Sequence, residues 1–461
     1  VNSFGTNESA SGSFGDYMQL GYLAQVNYSY KDKYIAELSW ASDGSSRFQS
    51  GYRFGDFYSA GLAWNITNEN FLIDNDVIDN LKLRVSYGET GNNSVGNNQY
   101  QSLFGYSASY DDNGAIYPST FGNAILSWET AELTDIGLDF GLFGNRLSGS
   151  VNYFEKVSAD LLQSVPLSRT TGHSSQTMNI GSVENKGIEV EFDATVLKAN
   201  DFSMAFYGNY TSTENTVLRL AKDAAGNDIN LDGSYFSTRV GASLDQWYMR
   251  TWGGVDSNDG RPYYIVGGDG VDGPISQDIT YTYSAAQQSF QGSRLPTFQG
   301  GLGTRINYKN LTLDANLMFT GGHKVYERWA WYTMASGLRS VYFYQGDQRL
   351  MDRWQNPGDV TDVPKMVYST SSSLGGSANT SRFLYDGDFL RLRDVTLNYS
   401  LPKSMIEKAG LSRVDVFVKG LNLLTWTKDD LPFDPEVRTS GYFRITTPPL
   451  KSISVGANLN F

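Results

Sequence analysis

Few side chains in this sequence could carry covalent chemistry. There is no cysteine, and the two histidines, His173 and His323, lie far apart in the chain. That leaves no thiol nucleophile, no thiolate zinc site and no disulfide. It also leaves little from which to build a histidine triad or a multi-histidine metal site. Both histidines fall in segments that read as loops and are expected at the surface. The most suggestive carboxylates are Glu189, Glu191 and Asp193, which alternate with Val190 and Phe192. On an extended strand, i and i+2 share a face roughly 7 Å apart, a spacing at which paired carboxylates could do acid–base work. The competing reading, preferred here, is a hydrated charged wall, because no nucleophile is paired with a base. The runs Asp256-Ser257-Asn258-Asp259-Gly260 and Asp269-Gly270-Val271-Asp272-Gly273 have the composition of turns and of calcium loops. Neither has the EF-hand spacing with its terminal glutamate. Turns are therefore expected, with Asp269 and Asp272 as the calcium candidate and no other metal. No G-x-x-x-x-G-K-[ST] loop occurs, and no cofactor is expected.

A second class of candidates is aromatic. The stretch 320–387 carries Trp329, Trp331, Tyr332, Tyr342, Tyr344 and Trp354, and 213–297 carries Trp247, Tyr248 and Trp252. Aromatic faces stack on sugar rings, and loops on a rigid scaffold often bind ligands. Long ordered loops also need apolar anchors of their own, so packing or contact with a partner protein competes for the same residues. Trp247, Trp252, Trp329, Trp331, Tyr332 and Trp354 are the contact candidates.

The elements that would position these residues read as β-strands. Leu81, Leu83, Val85 and Tyr87 alternate with Lys82, Arg84 and Ser86, and Ile453, Val455, Ala457, Leu459 and Phe461 alternate with Ser452, Ser454, Gly456, Asn458 and Asn460. A period of two gives each strand one apolar and one polar face. It recurs near 20–30, 33–41, 57–65, 81–88, 134–140, 147–156, 187–196, 202–212, 298–308, 311–319, 388–400, 412–422 and 451–461. In 388–400 the phase slips between Leu392 and Val395, and a β-bulge near Arg393-Asp394 would absorb the extra residue. On this pattern Lys82, Arg84, Glu189, Glu191 and Asp193 share the polar side.

The connections alternate too. Those at 31–32, 141–146, 197–201, 309–310 and 401–411 are short. Those at 42–56, 89–133, 157–186, 213–297, 320–387 and 423–450 are mostly long, and 66–80 is longer than its class predicts. Strands of about 9–11 residues, with short turns at one end and long loops at the other, predict an all-β fold. It is a transmembrane antiparallel up-and-down β-barrel, with the polar residues above lining its lumen. Tyr22, Tyr28, Tyr30, Tyr34, Trp40, Tyr58, Trp64 and Tyr87 fall on the apolar parity, as interfacial girdles require. A soluble β-sandwich would also alternate, but would not explain the loop asymmetry. Composition agrees: 18% charged residues is low against about 25% for soluble chains. No run of about 18 apolar residues marks a membrane helix. A net charge of −13 with no basic block excludes nucleic acid as a partner. Thirteen strands are an odd number and leave an unpaired edge, so another strand is expected from 1–18 or from outside the sequence. Val1-Asn2-Ser3-Phe4-Gly5 has no signal-peptide pattern.

From residue 20 to the end, the chain resembles the SusC/RagA-type TonB-dependent outer-membrane transporters of Bacteroidota. The resemblance is carried by Asn27-Tyr28-Ser29-Tyr30-Lys31-Asp32-Lys33-Tyr34, Asp43-Gly44-Ser45-Ser46-Arg47-Phe48, and Leu81 to Gly88 with Thr90-Gly91-Asn92. It continues through Trp128-Glu129-Thr130, Asn185-Lys186-Gly187-Ile188-Glu189, Arg353-Trp354-Gln355-Asn356-Pro357, Asp386 to Val395, and Gly420 to Trp426. The terminal Phe461 also resembles the signal read by barrel-assembly machinery. The resemblance implies a 22-stranded barrel of which residues 1–461 are the C-terminal portion, about 13–14 strands. The plug, the N-terminal regulatory-like domain and the TonB box are expected to lie outside this chain. It further implies import of oligosaccharides or peptides across the bacterial outer membrane, not enzymatic activity. A SusD-like surface lipoprotein would act as lid, and TonB-ExbB-ExbD would supply energy through the N-terminal part. The loop aromatics would then touch substrate or lid. A passive porin and a secreted β-rich carbohydrate-binding protein are the alternatives.

Overall fold

The computed structural model describes residues 15–461 apart from 74, 112, 224, 268–277, 338–344, 369–375, 408–409, 437–439 and 445, and apart from the side chains of 107 and 108. The calcium candidates Asp269 and Asp272 lie outside the described residues, as do Tyr342 and Tyr344.

Thirteen strands form one sheet in chain order. They are β1 Gln19–Tyr30, β2 Tyr34–Ser45, β3 Phe54–Asn65, β4 Ile78–Asn92, β5 Glu129–Leu142, β6 Leu147–Pro166 and β7 Ser175–Lys198. Then follow β8 Phe202–Arg219, β9 Phe298–Tyr308, β10 Leu311–Gly321, β11 Phe389–Ser400, β12 Arg413–Thr427 and β13 Ser452–Asn460. Every neighbouring pair is antiparallel. Each strand expected from the alternation is present, and the register shift on β11 falls between Leu392 and Asp394.

Most strands run longer than the alternation indicates, chiefly toward the long-loop end. β6 has 20 residues and β7 has 24, and their ladder continues through Gln163↔Met178 to Pro166↔Ser175. Most of the expected loop 157–186 is therefore strand. Above the membrane both faces of a strand meet water, so hydrogen bonding persists while the apolar/polar alternation fades.

The connections at 31–33, 66–77, 143–146, 199–201, 309–310 and 401–412 lie at one end of the sheet, and all the others at the opposite end. The long member of the short class, 66–77, is folded down by one carboxylate. Glu69 accepts from Tyr34 Oη at 2.7 Å, Lys33 Nζ at 2.9 Å and Trp64 Nε1 at 3.1 Å. These donors, the Tyr34 hydroxyl first, hold its carboxyl down at about 2.

One face of the sheet is an unpacked apolar band. Leu62, Val85, Ile136, Val151, Ile188, Leu397, Val418 and Val455 are all exposed on it. Tyr30, Tyr34, Tyr308 and Tyr399 border it at the short-turn end, and Tyr22, Trp40, Tyr58, Tyr87 and Trp426 toward the other. Tyr22 and Tyr30 are separated by about 26 Å along β1, or roughly 20 Å of membrane depth at a strand tilt near 40°. The largest apolar core lies in the long loops instead: Tyr235, Trp247, Met249, Tyr326, Ala330, Met334, Val363 and Phe383 pack together there. In the sheet, β1 and β13 each bond a single neighbour, and β13 lies on β12 through pairs such as Val414↔Leu459.

The two faces should answer substitution differently. Leu83→Arg places a cation on the apolar band and should cost about 2–4 kcal/mol of barrel stability in liposomes. Arg84→Leu loses charged hydrogen bonds on a wet face and should cost about 1 kcal/mol. Urea unfolding followed by the mobility shift of the unheated protein measures both. The opposite ranking would mean that the register is displaced by one residue.

Candidate functional site

The polar face gathers the charged strand residues named above. Lys82 and Arg84 lie on β4, and Arg84 forks onto Asp139 of β5 through Nε at 2.9 Å and Nη2 at 2.8 Å, with Asn152 of β6 at 2.9 Å. Further round, Glu189, Glu191 and Asp193 of β7 stand opposite Asn152, Ser150 and Ser148 of β6. On their other side are Thr211, Asn209 and Tyr207 of β8. Glu191, Asp193, Tyr207, Arg305, Asn316 and Arg393 border a depression of about 490 Å³. Tyr207 donates to Asp314 at 2.7 Å and Arg305 Nε reaches the same carboxylate at 3.0 Å. A Cβ at Gly303 would meet the Tyr207 ring at 2.3 Å, so the glycine lets that ring lie along the wall. The arrangement offers donors, acceptors and both charge signs to a hydrated solute. It brings no nucleophile against a base.

The loops above hold the aromatic candidates, and burial divides them. Trp247 is fully buried. Its Nε1 donates to the Lys324 carbonyl at 3.0 Å, and its ring packs on Phe236, Tyr326 and Tyr442. As a contact residue Trp247 is thus a correction: it is the centre of the loop core and presents no surface to a ligand. Trp252 and Trp354 are half-buried clasps. The Trp252 indole donates to Asp362 and Arg382 covers its ring at 4.9 Å. Trp354 Nε1 donates to the Ser257 carbonyl at 2.9 Å. Trp329, Trp331 and Tyr332, around the short helix Ala330–Thr333, are half-buried and in mutual contact, Trp329 tilted against Tyr332 at 5.3 Å and Trp331 edge-to-face with it at 4.7 Å.

Asp256 to Gly260 forms the expected turn, with Asn258 N donating to Asp256 Oδ1 at 2.8 Å and Gly260 N to the Asp256 carbonyl at 2.8 Å. Among the described residues, no group of three or more His, Asp or Glu could hold a metal. His173 is half-buried against Phe121 at 5.1 Å. His323, expected at the surface, is buried instead. It lies beneath Gly387, where a Cβ would come within 2.5 Å of Nε2.

The alternation gave no sign of one ionic cluster. Arg391, with no exposed surface, donates to Asp434 at 2.6 and 2.7 Å and to Glu436 at 2.7 Å, and Arg393 joins Glu436 at 2.8 Å. The connection 428–451 is thereby pinned to the wall of β11. Two arginines flanking a phase slip, and a later Asp-Pro-Glu, are the only sequence signal for it.

Residues 1–317 match the family model described as TonB dependent receptor-like, beta-barrel. The chain belongs to the TonB-dependent receptor family. It is similar to TonB-dependent receptor P3 of Formosa agariphila, 31% identical over 95% of this chain and 45% of that protein. It is also similar to TonB-dependent receptor SusC of Bacteroides thetaiotaomicron, 28% identical over 96% of this chain and 44% of that one. Among solved structures it is similar to the RagAB peptide transporter. The TM-score there is 0.82 at 28% identity, covering 96% of this chain and 48% of that chain. The chain spans a little under half the length of the curated relatives it matches. Members of this receptor family are outer-membrane β-barrels and not enzymes. The exposed apolar band is accordingly the surface that meets lipid.

Two substitutions probe the rim of this receptor barrel. Arg391→Met strands two carboxylates and should cost about 3–5 kcal/mol locally. Proteinase K should then cut within 428–451 at least about tenfold faster, whereas Arg393→Met, whose side chain is 42% exposed, should change little. His323 provides a pH test. Burial pushes its imidazole below the ordinary 6.5, against the pull of Asp388 and Asp386. The fold accepts the neutral ring and the unfolded chain protonates first. His323 therefore contributes stability that is complete above about 6.5 and is lost as pH falls below it. Amide protection at 322–327 and 384–388 should drop between about pH 7 and pH 5, and His323→Gln should abolish that drop.

Proposed function

We propose that this chain is the C-terminal portion of a TonB-energised importer that carries oligosaccharides, or alternatively peptides, across the outer membrane. In this reading a SusD-like surface lipoprotein captures the substrate and TonB-ExbB-ExbD supplies energy through parts of the protein preceding the barrel. The polar face, with Lys82, Arg84, Glu189, Glu191 and Asp193, is the lumen wall. The observation that carries the proposal is the pairing of that wall with an exposed apolar reverse face in a single sheet, beneath loops with a packed core. A solute pathway needs the first, lipid the second, and a gated entrance the third.

Closure supports the reading as well. β1 and β13 are both odd-numbered in an alternating sheet and so run in the same direction. An odd number of further strands is then needed to pair both edges within lipid. Oligosaccharides are preferred because Trp329, Trp331 and Tyr332 form a half-buried aromatic cluster, and an aromatic face suits a sugar ring or the lid. Peptides are the second reading, favoured by the similarity to a peptide transporter.

The test is whole-cell uptake of labelled oligosaccharides and oligopeptides by the parent strain and by a strain lacking the gene, with and without a protonophore. Import by this protein requires that uptake of one class vanish with the gene and with the protonophore. Uptake that survives the protonophore identifies a passive porin. Trp331→Ala with Tyr332→Ala should lower uptake of the favoured class by about tenfold at low substrate.

A further inference from the structure

Two short turns on different hairpins carry the same device. At the end of β1, Tyr30 is followed by Lys31, and at the end of β9, Tyr308 is followed by Lys309. Both lysines adopt left-handed backbone, at φ 54° and 53°, a conformation uncommon outside glycine and asparagine. Both ammonium groups fold back over the preceding ring, at 5.2 Å from the Tyr30 centroid and 5.5 Å from that of Tyr308. Both rings belong to the apolar face and are about half exposed, at 46% and 53%. Among the described residues, neither ammonium has an ion-pair partner.

We propose that each Tyr–Lys pair is a binding site for the phosphate of a phosphoglyceride in the periplasmic leaflet. The geometry supplies both halves of such a site. The ring lies on the lipid-facing band at the interface, where it meets the first carbons of an acyl chain. The ammonium is held just beyond it, on the outer side of the wall, at the level of the headgroup. A lysine that served only the turn would do better as glycine or asparagine, and one that served only solubility would extend into water. Here its backbone conformation instead returns the charge to the lipid face. A phosphodiester complements the cation, and the site is continuous with the apolar surface that acyl chains already cover. The inference rests on the membrane location of the barrel and on its orientation, with the short turns in the periplasm.

The test is native mass spectrometry of the full-length receptor complex, titrated with phosphatidylethanolamine or phosphatidylglycerol and with a diacylglycerol of the same chains. The intact protein should retain the phospholipids over diacylglycerol. Lys31→Gly with Lys309→Gly accepts the same backbone and should weaken phospholipid retention by about fivefold per ammonium removed. Lys31→Arg with Lys309→Arg should keep it. Equal retention by the glycine variant, or equal retention of diacylglycerol by the intact protein, overturns the proposal. Displacement of the phospholipids by millimolar inorganic phosphate would also overturn it, by making free phosphate the ligand.

Discussion

Inside a bilayer there is no water to take a hydrogen bond from an amide, and every other feature of this chain follows from that restriction. Thirteen strands satisfy one another's backbone in a single antiparallel ladder, which leaves side chains free to obey the solvent on each face. The band bearing Leu83, Val85 and Ile136 has no protein packed against it, and in water an apolar surface of that extent would drive aggregation. The same restriction makes the outer edges of β1 and β13 a structural demand rather than a neutral boundary. Their amides must meet another strand if they lie in lipid.

Where the strands leave hydrocarbon, the physics changes and so does the architecture. β6 and β7 climb beyond the membrane as a ladder with little alternation. The connections between β8 and β9 and between β10 and β11 build an ordinary globular core around Trp247 and Tyr326. Such a core cannot lean on the apolar band below, which belongs to lipid. Ionic contacts fix the loops at and above the rim. At the rim the Arg391 guanidinium of β11 holds Asp434 and Glu436 of the β12–β13 connection, and within the β10–β11 connection Arg349 joins Glu327 to Asp347 at 2.6 and 2.8 Å. A buried arginine is costly to desolvate and is retained only when its partners are fixed in place. It therefore positions a loop more exactingly than apolar contact would.

This division of solvents also explains what could be read in the sequence. The period of two is imposed by lipid on one side and water on the other, so it marked every membrane strand, the slip at Leu392–Asp394 and the polar set on β4 and β7. Above the bilayer that contrast is missing, and the upper halves of β6 and β7 looked like loop. The burial of His323 was illegible for a related reason. It depends on Gly387, a residue 64 positions later in the sequence, arriving above the imidazole with no side chain. Arg391 resembled a wall residue because its partners lie on the connection between β12 and β13, and spacing within one strand carries no information about them.

The aromatic residues show where composition alone stops discriminating. Trp247 and Trp331 both stand in long loops between strands, and both have the flat face that would stack on a sugar. What separates them is burial. The Trp247 indole N–H is spent on the Lys324 carbonyl deep in the core, which fixes the ring tilted against Tyr326 and edge-to-face with Tyr442, and neither face reaches solvent. Trp331 stands instead on a single helical turn, edge-to-face with Tyr332 and only partly covered. A loop that must both hold its shape and meet a ligand needs both kinds of aromatic residue. The anchoring kind has to outnumber the contacting kind, because without a core of its own a loop of this length would have no fixed surface to present.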